Sequence, residues 1–115
     1  MDRSLIKSYS FGRIEINGKG YTNDVIVFRD RVESNWWREK GHSLCPSDLK
    51  LIIEESPEIL IIGTGAYGRM DVPERTKNFL DDRGVEFFVH KTGPAVNRFN
   101  KITTKNKAAA LHLTC

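Results

Sequence analysis

Four consecutive aliphatic residues, Ile59, Leu60, Ile61 and Ile62, run directly into Gly63. A strand with one wet face alternates apolar and polar residues, so an unbroken apolar run of this length reads as a strand covered on both sides. Downstream, Asp71 and Glu74 have capping-box spacing and Pro73 falls in the first turn. Val72, Thr76, Phe79 and Leu80 share one face before Gly84, which together predicts a helix. Val85, Phe87, Phe88 and Val89 then predict a second buried strand. Strand, helix and strand in that order make a β-α-β unit, whose strands are expected to be parallel and whose crossover is expected to be right-handed.

The remaining segments must supply the covering layers. Phe11, Ile14 and Ile16 precede Asn17, Gly18, Lys19 and Gly20, and Val25, Ile26, Val27 and Phe28 follow. Two β-rich runs around Asn-Gly predict an N-terminal β-hairpin with a loop longer than the tightest kind. From Asp30 to Leu44 no period is sustained, so this stretch reads as a long connection with a short strand ending near Trp37. Pro46 and Asp48 suit a helix start, Leu49, Ile52 and Ile53 fall on one face, and Pro57 stops the helix. Thr92, Gly93 and Pro94 open a third helix that carries Ala95, Phe99 and Ile102 as far as Thr103. The tail from Ala108 to Cys115 is ambiguous, because its alanines favour helix whereas Leu111, His112 and Leu113 alternate as in a strand.

With 115 residues, 39% of them hydrophobic, the chain has the length and apolar content of one ordered domain, residues 1–115. Its 18 basic and 15 acidic residues leave a net charge of +3 without a basic run, so nucleic acid is disfavoured as a partner. Cys45 and Cys115 by themselves complete neither a zinc site nor a redox motif, which makes a reducing, intracellular setting the simpler expectation. Met1 to Ser10 contains Asp2 and no apolar run, and no later apolar stretch approaches the roughly 20 residues of a membrane span. A soluble, cytoplasmic protein with no membrane partner is expected.

Gly63, Gly65 and Gly68 match G-x-G-x-x-G after a strand, the first half of a dinucleotide fingerprint. The second half fails. Arg69 and Met70 intervene before the Asp71 helix start, so the glycines do not open a helix onto a pyrophosphate. The following strand ends in His90 and Lys91 instead of an acidic ribose ligand, and Glu86 lies at its wrong end. No cofactor is expected. With the two strands adjacent, however, Gly63, Thr64 and Gly65 come beside Lys91, Thr92 and Gly93, at a sheet end where open α/β folds build crevices. Backbone N–H groups, two threonine hydroxyls and the charges of Arg69 and Lys91 have the chemistry to hold a small anionic ligand there. The competing structural interpretation is that the glycines permit a tight positive-φ exit from the strand and the threonines cap local backbone.

His42, His90 and His112 are candidate general bases, yet no motif ties a serine or cysteine to them, and each reads first as structural. Cys45, just before Pro46, sits where a helix N-terminus can activate a thiol, with a quiet capping-region cysteine as the alternative. Trp36 and Trp37 are adjacent, so in an extended segment they point opposite ways. One is expected in the core; the other is either an interface anchor or covered by a second layer.

Gly63-Thr64-Gly65 with Gly68-Arg69, then Pro73, then Thr92-Gly93 with Ala95 and Asn97, and finally Ala108-Ala109-Ala110-Leu111, resemble the Mth938-like domain family. This family spans archaea, bacteria and eukaryotes and includes adipogenesis-associated proteins and a mitochondrial complex I assembly factor. The resemblance covers nearly the whole chain, and the near-minimal length points to the archaeal prototype itself. It implies an α/β fold, a three-layer sandwich with a central mixed, partly parallel sheet, and it makes the tail a last strand. It implies no established enzymatic activity and transfers no catalytic residues. Ligand-binding candidates therefore rest on position alone: Gly63, Thr64, Gly65, Gly68, Arg69, Lys91, Thr92 and Asn97, with Trp36 and Trp37 as interface candidates. The assembly role belongs to mitochondrial members, and with no arginine-rich transit segment in this sequence it is not expected to carry over. Three functions follow, in order of preference. The first is a non-catalytic protein-binding or assembly domain, acting on a protein partner or as a homo-oligomer. The second is a site for a small anionic metabolite or nucleotide at Gly63 to Gly68, and the last is an enzyme using His42 or His90.

Overall fold

Strand β6, Ile59–Thr64, forms where the aliphatic run predicts it, and it needs neighbours on both edges to satisfy its backbone. On one edge it pairs in parallel with β7, Glu86–His90, so that Gly63 lies opposite His90. On the other it pairs in parallel with β8, Lys107–His112, with Ile61 opposite Ala109 and Thr64 opposite His112. The tail is thus a strand, as the family resemblance implies. It lies in the middle of the sheet, where every residue from Lys107 to Leu113 is buried. Its far edge pairs antiparallel with β4, Val25–Phe28, which in turn carries the two-residue β5, Val32–Glu33. The central sheet is therefore mixed, in the order β5-β4-β8-β6-β7. The computed structural model describes residues 5–103 and 106–115; Asp2 and the rest of the first four residues lie outside them.

Alternation along the central strands sends side chains into two separate cores. Leu60, Ile62, Ala108, Ala110, Ile26 and Phe28 face one side, where they meet Leu49 and Ile52 around helix α1, Lys50–Glu55, and Leu80 of helix α2, Glu74–Asp82. Ile61, Ala109, Leu111, Val25 and Val27 face the other side. There they pack on Ala95, Val96 and Phe99 of helix α3, Thr92–Lys101, and on Ile6, Ile14 and Ile16 of a second sheet. Helices α1 and α2, the central sheet, and α3 with the small sheet make the three layers of an α/β sandwich. No helix among the described residues is long and apolar enough to cross a membrane.

Several local expectations are revised. The Asn17-Gly18 turn joins β2, Arg13–Ile16, to β3, Lys19–Tyr21, and both turn residues have positive φ, 53° and 83°. That is the mirror-image two-residue turn whose twist matches a hairpin. The hairpin partner is therefore Lys19–Tyr21 and not Val25–Phe28, which crosses into the central sheet. Strand β1, Ile6–Ser10, pairs with β2 and completes a three-stranded antiparallel sheet. Strand β7 is not buried on both faces; it is the sheet's edge, with Phe87, Phe88 and His90 half-buried and Val89 exposed.

The long connection holds only β5, well before Trp37. Pro46–Leu49 is a 3-10 turn that leads into α1, with Asp48 Oδ2 accepting the Cys45 N–H at 2.8 Å. Helix α2 starts at Glu74 after Pro73, with no side-chain cap, so Asp71 caps nothing. Instead the Asp71 backbone bonds His42 and Leu44, tying the segment before α2 to the connection before α1. Helix α3 ends at Lys101, where the Lys107 ammonium donates to the carbonyls of Phe99 and Ile102 at 2.6 and 2.9 Å and so satisfies groups that no further helical turn would reach.

Because Ala109 is fully buried between β4, β6 and the α3 layer, there is no volume for a larger side chain at that position. Ala109→Leu should lower stability by about 1–3 kcal/mol, read as a lower urea midpoint with an unchanged m value.

Candidate functional site

Strands β6, β7 and β8 all end on the same side of the sheet, and the antiparallel β4 begins there. Thr64, His90, His112 and Asp24 consequently gather at one rim. Thr92, the first residue of α3, is fully buried at its centre. Its Oγ1 accepts the Gly65 N–H at 2.8 Å and donates to the His112 carbonyl at 2.6 Å, while its own N–H donates to the Gly65 carbonyl at 3.0 Å. One hydroxyl thus joins the ends of β6 and β8 to the start of α3. Beside it, Thr64 Oγ1 donates to the His90 carbonyl at 3.1 Å, closing β6 onto β7.

Gly65 has a φ of 108°, a conformation that side chains resist, and a Cβ placed there would collide with the Cys115 backbone. The chain's own last residues lie across this turn. Ala66 N–H donates to the Thr114 carbonyl at 2.6 Å and Arg69 N–H to the Cys115 carbonyl at 2.9 Å. Gly68 N–H turns back to Gly65 and Met70 N–H to Thr64. The donors counted toward an anion cradle are therefore engaged within the protein. Gly63 serves packing as well, since a Cβ there would come within 2.8 Å of Leu111 and 2.9 Å of the Thr92 hydroxyl.

Of the positional candidates, the structure brings Gly63, Thr64, Gly65, Gly68, Lys91 and Thr92 together, with the Lys91 side chain lying along Gly68. The charged ends of Arg69 and Lys91 are exposed at the margin. Asn97 is elsewhere: it lines grooves along α3 with Pro94 and Arg98 or with Ser8 and Asn100. Trp36 and Trp37 separate as their adjacency requires. Trp36 is buried and its indole N–H donates to the Asp48 carbonyl at 3.0 Å, whereas Trp37 is 85% exposed.

A charged cluster lies beside the turn. Asp24 Oδ2 is 2.8 Å from His112 Nδ1 and 2.7 Å from Arg38 Nη1, and Asp24 Oδ1 accepts the Leu113 N–H at 2.8 Å. Burial pushes the Asp24 carboxyl up, but the hydrogen bonds from His112 and Leu113, the Arg38 guanidinium beside it and the His112 charge outweigh it and hold the group below its ordinary value. An ionised Asp24 requires the His112 proton on Nδ1, which makes the 3.1 Å approach of Arg38 Nη2 to that nitrogen a close contact and not a second hydrogen bond. Arg38 is also anchored on the Gly41 carbonyl and stacks 4.9 Å from the Trp36 ring. Its Nη1 approaches Asp24 off hydrogen-bond geometry, and His112 Nε2 has no hydrogen-bond partner among the described residues. Tyr9 donates to the Leu113 carbonyl at 2.8 Å. Burial and the Asp24 charge raise the phenol's pKa, against a smaller opposing effect of the Thr92 hydroxyl.

Among the described residues, neither His42 nor His90 hydrogen-bonds a carboxylate or thiol. The exposed His42 ring stands edge-on to His112 at 5.9 Å, and His90 Nε2 is buried without a partner. His112 is the histidine that meets the geometric condition. Asp24 and Arg38 escaped sequence reasoning because no spacing links positions 24, 38 and 112. The signal in hand was a lone acid just before the Val25–Phe28 run.

A family model described as a protein of unknown function, DUF498/DUF598, matches residues 6–114. Among solved structures, a protein named MT938 superposes with a TM-score of 0.78 at 25% identity, over 97% of this chain and 99% of that one. A Mth938-like domain of Bordetella pertussis gives a TM-score of 0.67 at 18% identity, over 96% and 85%. The chain belongs to the Mth938-like, or DUF498, family. At 25% identity this Mth938-like chain is a relative of MT938 and not the same protein, which corrects the expectation drawn from length. A conserved hypothetical protein of Pyrococcus horikoshii has the same fold, with a TM-score of 0.82 at 26% identity over 96% and 98% of the two chains.

Two outcomes follow for this Mth938-like rim. Thr92→Val should cost about 2 kcal/mol by stranding the buried Gly65 N–H, and Thr92→Ser should restore most of it, as measured by chemical denaturation. Asp24→Asn should cost about 3 kcal/mol near neutral pH by breaking a buried ion pair. Because folding lowers the Asp24 pKa, its stabilisation is complete above the ordinary value of 3.8 and is lost as pH falls through the lower folded value. A stability profile of the Asn variant should lack that acid-side decline.

Proposed function

We propose that this chain is a non-catalytic protein-binding or assembly domain whose contact surface centres on Trp37. The observation that carries this is the 85% exposure of Trp37 beside the buried Trp36. A tryptophan left in water next to one packed in the core is an anchor without its pocket. Its neighbourhood supports the same reading. Trp37 and the exposed Leu51 border one cleft of about 260 Å3, floored by Trp36. Trp37 also borders a second cleft of about 380 Å3, with Asn23, Asp24, Asn35 and Arg38. Aromatic and aliphatic groups ringed by polar ones match the anatomy of an interface core and rim.

Anion binding at the glycine turn is the weaker proposal, because the N–H groups of Gly65, Ala66, Gly68, Arg69 and Met70 already have protein acceptors. An anion would depend on the exposed side chains of Arg69 and Lys91. The two cysteines are free, which suits a reducing, cytoplasmic setting for the domain.

A photoreactive amino acid placed at position 37 in living cells should capture a discrete protein partner that the same probe at Lys19, on the opposite layer, does not. Trp37→Ala should leave stability within about 0.5 kcal/mol yet weaken binding of the captured partner about 30-fold or more. Identical capture at both positions, or unchanged affinity of the variant, would refute the proposal.

A further inference from the structure

The central sheet stops on one side at β7, which among the described residues pairs only with β6. We infer that β7 is a self-association edge, at which Glu86–His90 of one copy pairs antiparallel with Glu86–His90 of a second copy about a two-fold axis at Phe88. This surface is separate from the Trp37 surface and does not depend on it.

Backbone direction supplies the first support. Glu86 N–H donates to the Glu58 carbonyl at 3.1 Å, and the His90 carbonyl accepts from Thr64 Oγ1. Glu86 and His90 thus turn their backbone groups inward, and by the alternation of a strand Phe87 and Val89 turn theirs outward. Pairing about Phe88 sets Phe87 opposite Val89 of the second copy, twice over, and each such pair exchanges both of its N–H···O=C bonds. Phe88 then meets its own symmetry mate at a non-hydrogen-bonded position, where side chains approach most closely.

Side-chain complementarity selects the same register. Centred on Phe88, the pairing places Glu86 opposite His90 at both ends, whereas a centre at Phe87 sets Glu86 against Phe88 and a centre at Val89 sets His90 against Phe88. The strand also lacks the usual protection of an edge: it has no proline, lysine or bulge, and it leaves Phe87 and Phe88 half-buried and Val89 38% exposed. The opposite edge is blunted. Strand β5 has two residues, and Arg31 there is bound to Glu33 at 3.3 Å and to Glu55 at 3.0 Å.

Sedimentation equilibrium and light scattering from about 1 to 500 µM should show a concentration-dependent species of twice 13.1 kDa. Amide exchange at Phe87 and Val89 should slow as that species forms. Val89→Pro removes an outward N–H that β6 does not use, and Glu86→Lys replaces the exposed carboxylate that faces His90 with an ammonium, which accepts no hydrogen bond. Each should weaken association at least 10-fold, while Trp37→Ala associates as the parent does. Should Val89→Pro fail to fold, Glu86→Lys decides. A parent protein that stays monomeric throughout, a dimer indifferent to Glu86→Lys, or one abolished by Trp37→Ala overturns the inference.

Discussion

Three chain segments far apart in sequence converge on the hydroxyl of Thr92. It holds the N–H of Gly65 and the carbonyl of His112 at 2.8 and 2.6 Å, in a fully buried position. Each group it satisfies belongs to a strand end, where the ladder has stopped supplying partners and burial excludes water. The requirements around it follow from this contact. Helix α3 must begin against the sheet, so Gly63 can carry no Cβ. The chain must leave β6 with a positive φ at Gly65, and the last residues then lie close enough for their carbonyls to take the turn's remaining N–H groups. A turn that resembles a phosphate cradle in sequence is thereby a clamp for the protein's own backbone.

The Asp24–Arg38–His112 cluster extends that clamp toward the Trp37 surface. Two charges and an imidazole buried together are costly to desolvate, and the compensation is incomplete, with Arg38 Nη1 and His112 Nε2 lacking hydrogen-bond partners among the described residues. What the cluster achieves is position. Asp24 fixes the start of β4 and the Leu113 backbone together, and Arg38 spans from Gly41 to the Trp36 ring, which sets the direction of the segment that displays Trp37. The exposed tryptophan thus stands on a segment tied to the sheet, which suits the anchor role proposed for it, since an aromatic group already held in place is ordered at little cost.

Much of the architecture was legible because it is local. The Ile59–Ile62 run, the α2 face with Thr76 and Leu80, and the α3 start at Thr92 each state their structure within a few residues. The strand pair β6-β7 followed from a helix between two strands. Other features were not local. Nothing near Val25–Phe28 shows that it leaves the Asn17-Gly18 hairpin to pair with Ala108–Leu111, because strand partners are chosen by burial across the whole sheet. Nothing in Glu86–His90 distinguishes an edge strand from a buried one, since its apolar residues suit both. The capping-box spacing of Asp71 and Glu74 misled for a similar reason: Asp71 is engaged through its backbone with His42 and Leu44.

By itself, the sequence determined the α/β class with its β-α-β unit, the glycine requirement at the exit of β6, and the separation of Trp36 from Trp37 into inner and outer positions. These follow from periodicity, backbone sterics and the pleat, which act between neighbours along the chain. Only the tertiary structure decided that the tail becomes a central strand beside β6, that its end fills the glycine turn, and that Asp24, Arg38 and His112 meet. Those outcomes depend on which distant groups satisfy one another's hydrogen bonds and charges once water is excluded, and that is settled by packing.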